Sequence, residues 1–117
     1  MKIALAAAKI KNRDIEYNLS QMELYMKAAK EEGAQLVCFG EAFLQGFDCL
    51  DWDYEEDRYI AVSTDSEIFQ RIFQMSEALG IDVLFGFIER DADVIYSSAA
   101  LVSKGQLYHL YRRISQG

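Results

Sequence analysis

The sequence predicts an α/β fold with parallel strands, on three observations: short apolar runs that fit buried strands, two longer segments of helical period between them, and a length that suits one domain. With 117 residues, 51% of them hydrophobic and 26% charged, the chain can build one packed core and has no disordered or low-complexity bias. Two full domains are excluded.

Residues 2–9, opening Lys2-Ile3-Ala4-Leu5, read as a short buried strand. After Asp14 the period becomes helical, because Ile15, Leu19, Met22, Met26 and Ala29 fall on one stripe while Glu16, Gln21, Glu23, Lys27 and Lys30 take the other faces. Gly33 is placed to end that helix. Residues 35–40 are short and apolar enough for a second buried strand, and strand, helix and strand in this order make a βαβ unit with parallel strands. From Glu41 to Ser63 no regular period holds, and a loop followed by a short helix is expected. Thr64-Asp65-Ser66-Glu67 has the capping-box spacing, with Thr64 as the cap. Ile68, Ile72, Met75 and Leu79 then line one helical face, Phe69 and Phe73 widen it, and Gly80 ends it. Residues 83–88 form the next buried strand and lead into a turn at 90–93. Residues 95–103 and 106–113 form two more, joined at Lys104-Gly105 as a tight hairpin.

Nineteen acidic against 12 basic residues give a net charge of −7, which excludes nucleic acid as a partner on electrostatic grounds. No apolar run approaches the roughly 18–20 residues of a membrane span, and the start carries no cleavage-site pattern. A soluble, cytoplasmic protein is expected. Cys38 and Cys49 form no disulfide framework and no metal-ligand spacing. The acidic run Asp48, Asp51, Asp53, Glu55, Glu56 and Asp57 lacks the glycine and ligand order of a calcium loop and reads as a solvated face. Neither metal nor cofactor is expected.

In open α/β sheets the ligand crevice lies beyond the carboxyl ends of the parallel strands, and Glu41 is the first residue past such an end. Phe39, Ala42, Phe43 and Leu44 surround it in sequence, so a partly desolvated carboxylate suited to general-base work is expected; the alternative is a surface or helix-capping glutamate.

The segment Leu36-Val37-Cys38-Phe39-Gly40-Glu41-Ala42-Phe43-Leu44-Gln45-Gly46-Phe47 resembles the first catalytic motif of the nitrilase, or carbon–nitrogen hydrolase, superfamily. An ordered series of further segments agrees: the opening strand, Asn18 early in the first helix, Glu32-Gly33-Ala34 before the second strand, Leu84-Phe85-Gly86-Phe87-Ile88-Glu89, Ile95-Tyr96-Ser97-Ser98-Ala99, and Gly105 through Tyr111-Arg112-Arg113. The resemblance covers the whole chain. It implies the first part of an αββα sandwich, a single domain over 1–117 that is the N-terminal portion of an enzyme. Such an enzyme hydrolyses nonpeptide C–N bonds of small amides, carbamoyl compounds or nitriles through a Glu-Lys-Cys triad.

On that resemblance Glu41 matches the general base and Arg113 stands at the lysine that stabilises the oxyanion. Gly40 stands where the family usually has proline, and Ser97 where it usually has asparagine. An arginine keeps the charge but not the compact ammonium. Arg113 is thus a substitute, a neighbour of a lysine lying further on, or with Arg112 a solvated strand end. The nucleophilic cysteine lies downstream in the family, outside this chain. Cys38, inside a strand, reads as a small buried hydrophobe; a Cys49-His109-Asp48 arrangement is the lesser alternative. Phe47 and Tyr54, with Phe43 and Tyr59, are candidates to line a substrate pocket beside Glu41. A sheet face without its second layer implies self-association into a homo-oligomer. The competing reading is a non-catalytic α/β association module that keeps the first half of the fold.

Overall fold

The computed structural model describes residues 1–46 and 60–114. The short helix expected within 41–63, Cys49 and the acidic run fall largely or wholly on 47–59, outside the described residues. The elements run β1 (Ile3–Leu5), α1 (Ile15–Glu31), β2 (Leu36–Cys38), α2 (Glu67–Leu79), β3 (Asp82–Asp91), β4 (Val94–Ser103) and β5 (Gln106–Ile114). They form one five-stranded sheet in the order β1-β2-β3-β4-β5. β1, β2 and β3 are parallel, whereas β3-β4 and β4-β5 are antiparallel hairpins.

α1 begins where Asp14 accepts a hydrogen bond from the Tyr17 amide at 3.0 Å, which satisfies one of the free N–H groups of the first turn. α2 is capped by Ser66, whose hydroxyl accepts from the Phe69 amide at 3.4 Å, and not by Thr64. The helix therefore starts two residues later than the capping-box spacing predicts, and Phe69, not a glutamate, occupies the third helical position, so only the single cap forms. At the other end Gly80 adopts φ 66°, the left-handed conformation that closes a helix. β1 is shorter than the expected 2–9, although Ala6 extends the ladder by one bond from its amide to the Cys38 carbonyl.

Both helices lie on one face of the sheet. Leu19, Met22 and Met26 of α1 and Phe69 and Ile72 of α2 pack against Val83, Phe85 and Phe87 of β3 and Ala100 and Val102 of β4. Phe69 is at the centre, its ring 4.9 Å from Phe87 and 5.6 Å from Phe85. Fully burying one such side chain stabilises the fold by about 1.5–3 kcal/mol. The opposite face carries Leu84, Gly86 and Ile88 opposite Leu101, Ala99 and Ser97. Toward its edges it is open, with Leu5 82% and Tyr111 70% exposed. Cys38, expected buried, is a half-buried free thiol on this open face, and burial pushes its pKa up. Among the described residues no helix is long and apolar enough to cross a membrane.

One irregularity sits in the last hairpin. Lys104 and Gly105 both have positive φ, 53° and 76°, as a two-residue turn matched to strand twist requires. Val102 then pairs with Leu107, but Leu101 pairs with His109. Tyr108 is the extra residue of a β-bulge, and its side chain is 76% exposed.

Candidate active site

Beyond β2 the chain folds back over β3 in a tight turn that carries Glu41. The Gly86 amide donates to the Gly40 carbonyl at 3.1 Å, and the Leu44 amide to the Gly86 carbonyl at 3.2 Å. This approach requires glycine at position 86, since a Cβ there would lie 2.6 Å from the Ala42 nitrogen, 2.7 Å from the Glu41 Cα and 2.8 Å from the Gly40 oxygen. All three are backbone atoms, which no side-chain rotation can move aside. Ala42 itself holds φ 52°, a left-handed conformation that costs a residue with a Cβ about 1–2 kcal/mol.

Two fully buried amides hold the turn. Gln45 donates from Nε2 to the carbonyls of Ile60 and Ile88 at 3.1 and 2.8 Å and accepts the Ile88 amide on Oε1 at 2.8 Å. Asn18 of α1 accepts the Lys11 amide at 2.8 Å and donates to the carbonyls of Lys11 and Leu44. With every polar atom of both side chains partnered, burial carries no unmet hydrogen-bond cost.

The side chain so placed meets the end of the last strand. Arg113 Nη2 donates to Glu41 Oε1 at 2.8 Å, joining residues 72 apart in sequence. The pair borders a cleft of about 320 Å³ lined by Phe39, Gly40, Leu84, Ser97 and Tyr111 together with Glu41 and Arg113. The sequence predicts a Glu41 partly desolvated by its neighbours, but its side chain is 58% exposed and that of Arg113 72%. Phe39, Phe43 and Leu44 turn into the core instead, with the Phe39 and Phe43 rings 4.5 Å apart, so they do not shield the carboxylate. The pair offers a proton acceptor and a cation at the mouth of one cleft, the two charges that base-assisted attack on a carbonyl uses.

Of the other residues singled out by sequence, Phe47 and Tyr54, with Tyr59, lie outside the described residues. Phe43 is buried core. His109 is an exposed strand residue 6.4 Å from the Tyr111 ring. Sequence reasoning passes over Gly86 and Gln45. The signal for Gly86 is present, because a glycine within an apolar strand marks a close backbone approach.

A second ion pair lies one residue before Arg113, on the other face. Arg112 donates from Nε and Nη2 to the two oxygens of Glu89 at 2.8 and 2.5 Å, and the Ser98 hydroxyl donates to Glu89 Oε1 at 2.8 Å. Glu89 is 1% exposed; Arg112 also reaches Asp91 at 3.2 Å and lies over the Tyr96 ring. Its guanidinium is pushed further above its ordinary pKa, first by the hydrogen bond to Glu89.

Known proteins agree with this architecture. The carbon–nitrogen hydrolase family matches residues 2–115. A glutamine-dependent NAD(+) synthetase of Thermotoga maritima is 31% identical over 98% of the chain and 19% of its own length. An arylacetone-specific nitrilase of Alcaligenes faecalis is 29% identical over 97% of the chain and 35% of its own. Among solved structures, the amidase of Nesterenkonia sp. AN1 superposes with a TM-score of 0.76 at 20% identity, over all of this chain and 45% of that one. One mutant of that amidase has been crystallised with butyramide, and another with the acetamide moiety of fluoroacetamide added covalently at the active site cysteine. The chain thus spans less than half the length of these relatives.

Proposed function

Because the chain belongs to the carbon–nitrogen hydrolase family, we propose that it supplies the general base and the oxyanion-binding cation of a hydrolase acting on small amides, carbamoyl compounds or nitriles. The observation that carries this reading is the hydrogen bond between Glu41 and Arg113 across the mouth of the cleft. Glu41 takes the proton of a thiol supplied by chain outside these 117 residues. The thiolate attacks the amide carbon, the carbonyl electrons move to oxygen, and Arg113 donates hydrogen bonds to that oxygen. When the C–N bond breaks, Glu41 returns the proton to the departing ammonia. Water then adds to the thioester, giving its proton to Glu41, and the acid and the free thiol are released. For the cation to serve the oxyanion, the Glu41–Arg113 bond must open as substrate enters, which their exposure permits.

The test is ammonia release from butyramide, an N-carbamoyl compound and an arylacetonitrile, by the 117-residue chain and by the product of the whole reading frame that contains it. Turnover is expected only in a longer product that adds a cysteine, with Glu41→Gln lowering it by about 10²–10⁴-fold. Turnover indifferent to Glu41→Gln overturns the assignment. The reading as a non-catalytic association module draws support from the open sheet face around Leu5 and Tyr111. That module is a homo-oligomer, so a monomer by light scattering at all concentrations excludes it.

A further inference from the structure

The two arginines of β5 are neighbours in sequence, so the register of one strand decides which of them reaches the cleft. With the bulge at Tyr108, Arg112 pairs with Ser98 on the helix-covered face and Arg113 with Ser97 on the cleft face. Continued from the hairpin without a bulge, the pairing of Ser103 with Gln106 and Val102 with Leu107 would bring Arg112 opposite Ser97 and Arg113 opposite Tyr96. The arginines would exchange faces, since a slip of one residue turns every side chain over. Apolar pattern separates the two registers weakly. Leu107 faces the core in both; the bulged register adds Leu110, the unbulged one His109 and Tyr111.

Glu89 discriminates between them. In the row across the sheet Glu89 pairs with Tyr96, so in the unbulged register the Tyr96 side chain would stand between Glu89 and an arginine at 113. In the bulged register Arg112 passes over the short Ser98, lays its guanidinium over the Tyr96 ring, and closes two bonds on the buried carboxylate. We propose that Glu89 is a positioning residue for the cleft: by binding Arg112 on the helix-covered face it holds the bulged register of β5 that presents Arg113 to Glu41. A buried ion pair is weak evidence for net stability, and fixing a register is its best attested use. The value of this placement for catalysis rests on the proposed role of Arg113, but the placement itself does not.

Cross-strand amide proximities read by NMR in the full-length protein test it without an activity assay. Glu89→Gln keeps the shape and removes the charge. The Ser97–Arg113 pairing is expected to weaken or give way to Ser97–Arg112, while Ser103–Gln106 at the hairpin end persists. Deleting Tyr108 makes the register of Arg113 on Ser97 the one that needs no bulge. The double variant, Glu89→Gln with Tyr108 deleted, is therefore expected to recover the Ser97–Arg113 pairing, and to recover the fold if Glu89→Gln alone does not fold. A native Ser97–Arg113 pairing in Glu89→Gln overturns the proposal. So does failure of the deletion to restore it, since the pair then serves stability alone. Loss of hydrolysis in Glu41→Gln bears on the function and leaves this result untouched.

Discussion

Arg112 and Arg113 meet glutamates on opposite sides of one sheet, under opposite conditions. Among the described residues, Glu89 is buried and holds three donated hydrogen bonds, two of them from one guanidinium, whereas Glu41 is more than half exposed and takes a single bond from Arg113. The first arrangement cannot be opened without stranding the Glu89 charge in the core. The second is weak because water competes for both partners, and a weak pair at a cleft can be parted by an incoming carbonyl. Two ion pairs of the same chemistry thus suit the two proposed roles, fixation and availability, and what separates them is the number of donors and access to water.

Removing the turn that carries Glu41 breaks the comparison with the largest effect. Gly86→Val forces a branched side chain into backbone atoms that already lie within 3 Å of a Cβ. A loss of about 2–3 kcal/mol in chemical denaturation is expected, with the Glu41–Arg113 hydrogen bond broken and the Glu89–Arg112 pair retained. Gly40, where an added Cβ meets nothing within 4 Å, is the control, and Gly40→Ala is expected to be close to neutral. Equal losses at the two positions would show that the close approach at Gly86 does not constrain the turn.

Much of this architecture is legible in the sequence, and what is not has identifiable causes. The stripe of Leu19, Met22 and Met26, the apolar runs of β3 and β4, and the Lys104-Gly105 turn are local patterns, and they locate their elements to within a few residues. The position of Glu41 past β2 is legible for the same reason. Gln45 is not, since a polar residue in an aperiodic loop carries no sign that the Ile60 and Ile88 backbones will enclose it. The partnership of Glu89 with Arg112 is hidden by the bulge: pairing extrapolated from the hairpin turn assigns the wrong arginine to each face. Thr64 and Ser66 both offer a capping hydroxyl, and sequence spacing favours the one whose partner would have been a glutamate.

A smaller effect separates the two pairs directly. Arg112→Ala leaves the Glu89 carboxylate buried with, among the described residues, the Ser98 hydroxyl as its remaining hydrogen-bond donor, while Arg113→Ala releases Glu41 to water. The stability lost in Arg112→Ala is expected to be several times that lost in Arg113→Ala, which lies within the range of exposed pairs. Denaturant titration of both variants at one pH and salt concentration measures the ratio. Equal losses would mean that burial does not distinguish the two pairs and that their separate roles have no energetic basis.

The smallest effect comes from a third pair, a second half-exposed one that joins the two helices away from the cleft. Arg71 of α2 donates to Glu16 of α1 at 2.6 Å, with side chains 41% and 69% exposed. That hydrogen bond, more than the charge of Arg71 itself, holds the Glu16 carboxyl below its ordinary pKa of 4.5, against the opposing influences of burial and Asp14. A carboxyl whose pKa is lowered on folding binds fewer protons folded than unfolded, so its stabilising contribution is complete above about pH 4.5 and is lost as pH falls through the lower folded value. Arg71→Gln is therefore expected to lower the melting temperature slightly near neutral pH, and by less and less as the pH falls below the ordinary carboxyl range and Glu16 becomes protonated in both states. Raising the salt to about 1 M, where screening acts over about 3 Å, should close most of the gap. If the difference between variant and parent persists in acid and in salt, the pair acts through the packing of the arginine stem between the helices, and exposure alone does not set what an ion pair contributes in this fold.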